Sequence, residues 1–184
     1  MKLRVASLAV SSSLVAGAAL AQAPPRSCVR VEVSSDQAPA RAPGSPAVPA
    51  ITSTIVASSP RFSATKILDL TFTVLFPASI EGEHLVELRV FTPDAQLYRS
   101  VAMPVARGPA SPVRAVEGYP RPIPQKALTQ VSRGRSLFAA ASTTLPVGGT
   151  DIVSSGLYGR WRVEAYLDGA EERCAPTGFF VLEP

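Results

Sequence analysis

The chain has 184 residues, 18 basic against 14 acidic side chains, and a single histidine, a length that suits one domain with its own core plus some additional chain. Two of the basic residues, Lys2 and Arg4, fall in an N-terminal export signal, so half of the formal excess of +4 leaves with it; the balance left is too small to argue for a nucleic-acid partner. Arginine outnumbers lysine fifteen to three and asparagine is absent, which reads as the composition of a GC-rich bacterial genome and excludes N-glycosylation sequons.

Residues 1–21 have the layout of a cleaved signal peptide: a positive start, an uncharged stretch rich in Leu, Val and Ala, and the small-x-small site Ala19-Leu20-Ala21. The serines at 11–13 argue against a membrane anchor, and Cys28 follows Ser27 too far from the cleavage site to be lipidated. The expected location is therefore the periplasm or the exterior, with no transmembrane segment after cleavage. Residues 22–50 form a Pro/Ala-rich N-terminal segment in which 28–33 alternates well enough for one short strand. The run 37–49 is too poor in large apolar side chains to offset its ordering entropy and reads as a linker or long loop.

Residues 51–184 are expected to form the domain, in about seven antiparallel strands near 51–57, 67–76, 84–91, 97–105, 136–145, 160–167 and 178–183. In the second, Leu68, Leu70, Phe72, Val74 and Phe76 share a face; in the third, Val86, Leu88 and Val90 do so. Thr92-Pro93-Asp94-Ala95 has Pro and Asp where a type I turn takes them, and the returning strand sets Leu97, Val101, Met103 and Val105 on one side. Strand 136–145 alternates Leu137, Ala139, Ala141, Thr143 and Leu145 with Phe138, Ala140, Ser142 and Thr144, and Gly148-Gly149 turns the chain. Trp161, Val163, Ala165 and Leu167 form the inner face of the penultimate strand, Asp168-Gly169 marks a turn, and the last strand closes a terminal hairpin. Phe72, Leu88, Trp161 and Val163 are the expected centre of the core.

Between these strands, 106–130 breaks the alternation with prolines that deny a ladder its N–H donors, and reads as a long Pro/Arg-rich loop. The stretch from Arg107 to Arg135 carries Arg107, Arg114, Arg121, Arg133 and Arg135, with Lys126, against the single acid Glu117. These arginines are the candidate contacts to a partner, against the plainer reading of a solvated connection.

Cys28 and Cys174 are an even pair in an exported chain and predict a disulfide, with two unpaired buried thiols as the alternative; no cluster of further ligands accompanies either as a metal site would require. His84 is the one residue on which a Ser-His-Asp hydrolase would depend, and an imidazole closing a strand end is the simpler reading. Glu81, Glu83 and Glu87 read as solvated carboxylates rather than a hard-cation site. Tyr98, Tyr119, Tyr158 and Tyr166 would need to lie side by side and exposed to make a glycan platform.

Gly159-Arg160-Trp161-Arg162-Val163 resembles the entry to the penultimate strand of immunoglobulin-like domains. Together with the alternating strand from His84 to Val90, the Pro-Asp turn, and Tyr166-Leu167-Asp168-Gly169, it is similar to bacterial immunoglobulin-like and macroglobulin-type domains over 51–184. The resemblance implies an antiparallel sandwich and, by analogy of fold, a protein-binding or structural module on another envelope or secreted protein; the residues offer no catalytic constellation, cofactor motif or metal-ligand cluster, so no enzymatic activity, cofactor or metal is expected. Glycan binding is the second expectation and a hydrolase built on His84 the third.

Overall fold

The computed structural model describes residues 28–35, 59–108 and 111–184. The signal peptide at 1–21, the linker at 37–49 and the strand expected at 51–57 lie outside the described residues. Among these, twelve strands and one helical turn occur in the order β1 (Arg30–Ser35), β2 (Arg61–Ser63), β3 (Asp69–Pro77), β4 (Gly82–Phe91), β5 (Leu97–Arg107), β6 (Val113–Arg114), β7 (Ile123–Pro124), β8 (Lys126–Ala127), β9 (Thr129–Arg133), β10 (Ser136–Pro146), α1 (Asp151–Ser154), β11 (Gly159–Leu167) and β12 (Gly178–Glu183). The protein is all-β.

A four-stranded sheet runs β1-β3-β10-β9 and a six-stranded sheet runs β2-β12-β11-β4-β5-β8, with β6 and β7 forming a separate ribbon. Pairing is antiparallel except that β2 joins β12, and β8 joins β5, in parallel. The two large sheets share one core. Leu70, Phe72, Val74 and Phe76 of β3, with Ala139, Ala141 and Leu145 of β10, meet Val86, Leu88 and Val90 of β4, Trp161, Val163, Ala165 and Leu167 of β11, and Phe180 and Leu182 of β12. An aromatic chain crosses that core: Phe72 lies 5.8 Å from Phe180, Phe180 stacks 5.9 Å from Trp161, and Tyr98 meets Trp161 edge-on at 5.3 Å. The buried Trp161 Nε1–H donates to the Leu157 carbonyl at 3.0 Å, the partner a buried indole requires.

Both expected turns form. Ala95 N–H donates to Thr92 O at 3.0 Å and Ala95 itself is left-handed at φ 61°, a type I turn followed by the left-handed residue that three-residue hairpin loops use. Asp168 and Gly169 have φ of 53° and 72°, the two positive values of a type I′ turn. The chain then runs on through 170–177 before β12, which pairs with β11 from Gly159↔Leu182 to Val163↔Gly178.

Three expectations need correction. Leu68, Leu97 and Leu137 are exposed rather than continuing the inner faces of their strands: Leu68 precedes β3, Leu137 sits near the outer end of β10, and Leu97 precedes a bulge opposite Val90 and Phe91. That bulge turns Tyr98 inward against Trp161. Residues 106–130 are a loop only in part, because they hold the end of β5, the β6–β7 ribbon, the parallel segment β8 and the first residues of β9. A short helix, with Thr150 as N-cap accepting from Ile152 N–H at 3.3 Å, follows the Gly148-Gly149 turn where none was expected.

Cys28 and Cys174 are joined in a disulfide, with Cα atoms 4.9 Å apart. It fastens the residue entering the neighbourhood of β1 to the segment between β11 and β12, across a sequence separation of 146.

Candidate functional site: a basic cleft beside an edge strand

β1 is an outer strand of the four-stranded sheet, and among the described residues β3 is its sole pairing partner. Along it runs a cleft of about 640 Å³ lined by Arg30 through Ser34, with Ser59, Pro60, Arg160 and the segment 177–179 opposite. Arg30 and Glu32, two residues apart, share the outward face of β1, and their side chains pair at 2.6 Å. Arg133 arrives from β9 and donates through Nε and Nη2 to Glu32 Oε2 at 3.0 and 2.9 Å. On the far wall Arg160 sets its guanidinium 4.0 Å above the Phe179 ring, a stacking that leaves the in-plane N–H donors free to point outward. Phe179 keeps 36% of its surface exposed.

The electrostatics follow from two guanidinium groups on one carboxylate, with a third, Arg160, on the opposite wall. Partial burial alone would raise the Glu32 pKa; hydrogen bonds and charge from Arg133 and Arg30 outweigh it and hold the carboxyl below its ordinary value. Arg133 is raised in turn, chiefly by its hydrogen bond to Glu32. The four groups together leave a surplus of positive charge facing the cleft.

A second cleft of similar volume opens beside Thr177, lined by Tyr166 and residues 171–177. Beneath it Glu164 is 7% exposed and is satisfied by Tyr166 Oη–H at 2.8 Å and Arg173 Nη1 at 3.3 Å. Burial first, and then the hydrogen bond to Glu164, push the Tyr166 phenol up. Arg89 covers the Tyr166 ring at 4.3 Å and Arg162 covers Phe91 at 4.1 Å, so the outer face of the six-stranded sheet carries arginines laid flat on aromatic rings.

The five arginines expected to contact a partner are not gathered together. Arg107 donates to the main-chain carbonyls of Ala78 and Ile80; Arg114 lies in β6; Arg121 and Arg135 are exposed at separate places. Arg133 alone reaches the cleft. Nor do the tyrosines form an exposed row: Tyr98 packs on Trp161, Tyr166 is buried, Tyr158 donates to Val153 O at 3.4 Å, and Tyr119 accepts from the Ala102 N–H at 2.9 Å.

His84 Nδ1 lies 2.8 Å from Asp168 Oδ2 and Nε2 lies 3.0 Å from the Glu81 carbonyl, while Asp168 Oδ1 accepts from Leu85 N–H at 2.9 Å. The arrangement joins the start of β4 to the turn after β11, and the nitrogen that would face a nucleophile in a hydrolytic triad is directed at a main-chain oxygen. Glu87 pairs with Arg89 at 2.8 Å and accepts from Ser100 at 2.9 Å. Among the described residues no group of three or more His, Cys, Asp or Glu side chains could hold a metal ion, and no helix is long and apolar enough to cross a membrane.

Arg30, Glu32, Arg160 and Phe179 are the site residues that sequence reasoning missed. The available signal was modest: Arg30 and Glu32 share the polar face of an alternating segment, and Arg160 and Phe179 occupy outward positions on two strands expected to pair. Comparison with protein-family models, with curated proteins and with solved structures finds no match.

Proposed function

We propose that the mature chain is an exported, non-catalytic binding module that engages another protein of the bacterial envelope or exterior, and that its contact surface is the cleft beside β1. The observation that carries this reading is the convergence of Arg30, Arg133 and Arg160, from three separate strands, on one cleft, the first two paired with Glu32 and the third stacked on the part-exposed Phe179. Arginine and a part-exposed aromatic are the residue types that concentrate binding energy at protein contacts. Export rests on the composition of residues 1–21 and is supported by the Cys28–Cys174 bridge, since such bridges persist in oxidising compartments. The non-catalytic part is supported by the engagement of both His84 ring nitrogens, one with a carboxylate and one with a main-chain carbonyl.

The test is site-specific photo-cross-linking in the native bacterium. With the cross-linker at position 179, a discrete protein adduct is expected in the periplasmic or secreted fraction, and the same cross-linker at position 119, on the β6–β7 side, should not yield it. Equal capture from both positions, or adducts from 119 alone, would overturn the assignment of the cleft.

A further inference from the structure

Resting on that reading, we infer that the occupant of the cleft is an extended, acidic segment of a partner protein, which pairs with β1 as an added strand. The cleft is lined by five consecutive residues of one strand, Arg30 to Ser34, which makes it a slot roughly 16 Å long, the span of five extended residues. β3 takes one side of β1, and among the described residues no other strand pairs with it; an extended peptide is what satisfies the remaining row of an edge strand. The walls then select the side chains. Arg30 and Arg133 stand on one side and Arg160 on the other, with Glu32 already taken up by the first two, so carboxylates on the incoming strand meet donors while basic side chains meet like charge. Phe179, with Val31 and Val33 packed partly on the core, offers apolar contact for the residues between.

The probe is a capped octapeptide alternating Glu and Thr, titrated into the isotopically labelled mature protein and followed by backbone amide resonances. Saturable shifts are expected at 30–35 and at 178–179. Binding should weaken with salt, and Arg160→Gln or Arg133→Gln should raise the dissociation constant about tenfold, the effect of losing one well-placed charge contact. The same peptide N-methylated at alternate residues keeps its charge but cannot pair as a strand, and is expected not to bind. Equal binding by the N-methylated peptide, or by its Lys-Thr counterpart, overturns the proposal. So does slow hydrogen exchange at every β1 amide of the free protein, which would mean that the chain's own residues already pair that edge. Oligogalacturonate, acidic but lacking a peptide backbone, separates the two readings. If it shifts the arginine side chains of the cleft while the peptide shifts nothing, strand addition fails and the cleft remains a binding site.

Discussion

Arg133 on β9 and Glu32 on β1 meet with Nη2 and Oε2 2.9 Å apart, although β3 and β10 both lie between their strands in the sheet. The guanidinium therefore crosses the outer face of the four-stranded sheet. On the same face the directly paired Leu75 and Ala140 point away from the core, yet both are buried. One ion pair thus spans that face and orients a donor of the cleft.

That pair makes a pH-dependent contribution whose sign is fixed. The Glu32 carboxyl is held below its ordinary value, so its contribution is complete above the usual carboxylate range and is lost as pH falls through the lowered value. Glu87, held low first by Arg89 and then by Ser100 against its partial burial, behaves likewise. Glu32→Gln is expected to lower the thermal midpoint slightly at neutral pH, with the difference from wild type closing in acid. A difference that persists once the pH lies well below the lowered value, where both forms are uncharged, would show that the effect is steric.

Trp161→Ala should cost about 3–5 kcal/mol in urea unfolding, because it opens a cavity between Phe180 and Tyr98. Trp161→Phe keeps most of the packing but leaves the Leu157 carbonyl without its donor, and should cost less, about 1–2 kcal/mol. A loss under about 1 kcal/mol for the alanine variant would contradict the buried position.

Removing the disulfide by Cys28→Ala with Cys174→Ala should destabilise by up to about 5 kcal/mol, the chain-entropy figure for so long a loop and an upper bound. The measurement is chemical denaturation of the double variant beside the oxidised wild type. Equal stability of the two would exclude the bridge.

Asp168 serves as acceptor for both His84 and the Leu85 N–H while sitting in a left-handed conformation. Asp168→Ala should cost about 1–3 kcal/mol through the unsatisfied amide and the lost ring contact. Asp168→Asn should cost less, since asparagine tolerates that backbone and retains a carbonyl acceptor. The order of the two variants in thermal unfolding is the check.

Ala95 offers a change of opposite sign. Its φ of 61° strains a residue with a Cβ, so Ala95→Gly should stabilise the β4–β5 hairpin by up to about 1 kcal/mol once the greater freedom of glycine in the unfolded chain is deducted. A lower midpoint for the variant would show that the turn is not as described.

How far the sequence alone could reach is seen by comparing particular strands. β3, β4 and β11 were legible because apolar residues recur at period two along them, and Leu70 to Phe76, Val86 to Val90 and Trp161 to Leu167 on those inner faces are buried. Tyr98 was not, since one inserted residue reverses which side chains point inward and nothing near it announces a bulge. Glu164 and Tyr166 read as solvent-facing and are buried, because Arg89 and Arg173 lie over them. Prolines hid the two-residue pairings of β6, β7 and β8. The cleft was the least legible feature: Arg30, Arg133 and Arg160 are remote in sequence and stand on strands of two different sheets, and Arg133 reaches Glu32 only across the outer face of the four-stranded sheet.

β2 has a consequence for how the chain reaches this state. Its strand partner is β12, and the Arg61–Glu183 pair that accompanies the junction spans 122 positions. The β4–β5 and β9–β10 pairs join consecutive strands and β3 has the earlier β1 beside it, but β2 stays unpaired until the final strand is available, and β11 must return to β4 across the whole of β5 to β10. Such non-local pairing makes folding slow and prolongs the exposure of apolar edges, so the six-stranded sheet closes only when the last residues of the chain arrive.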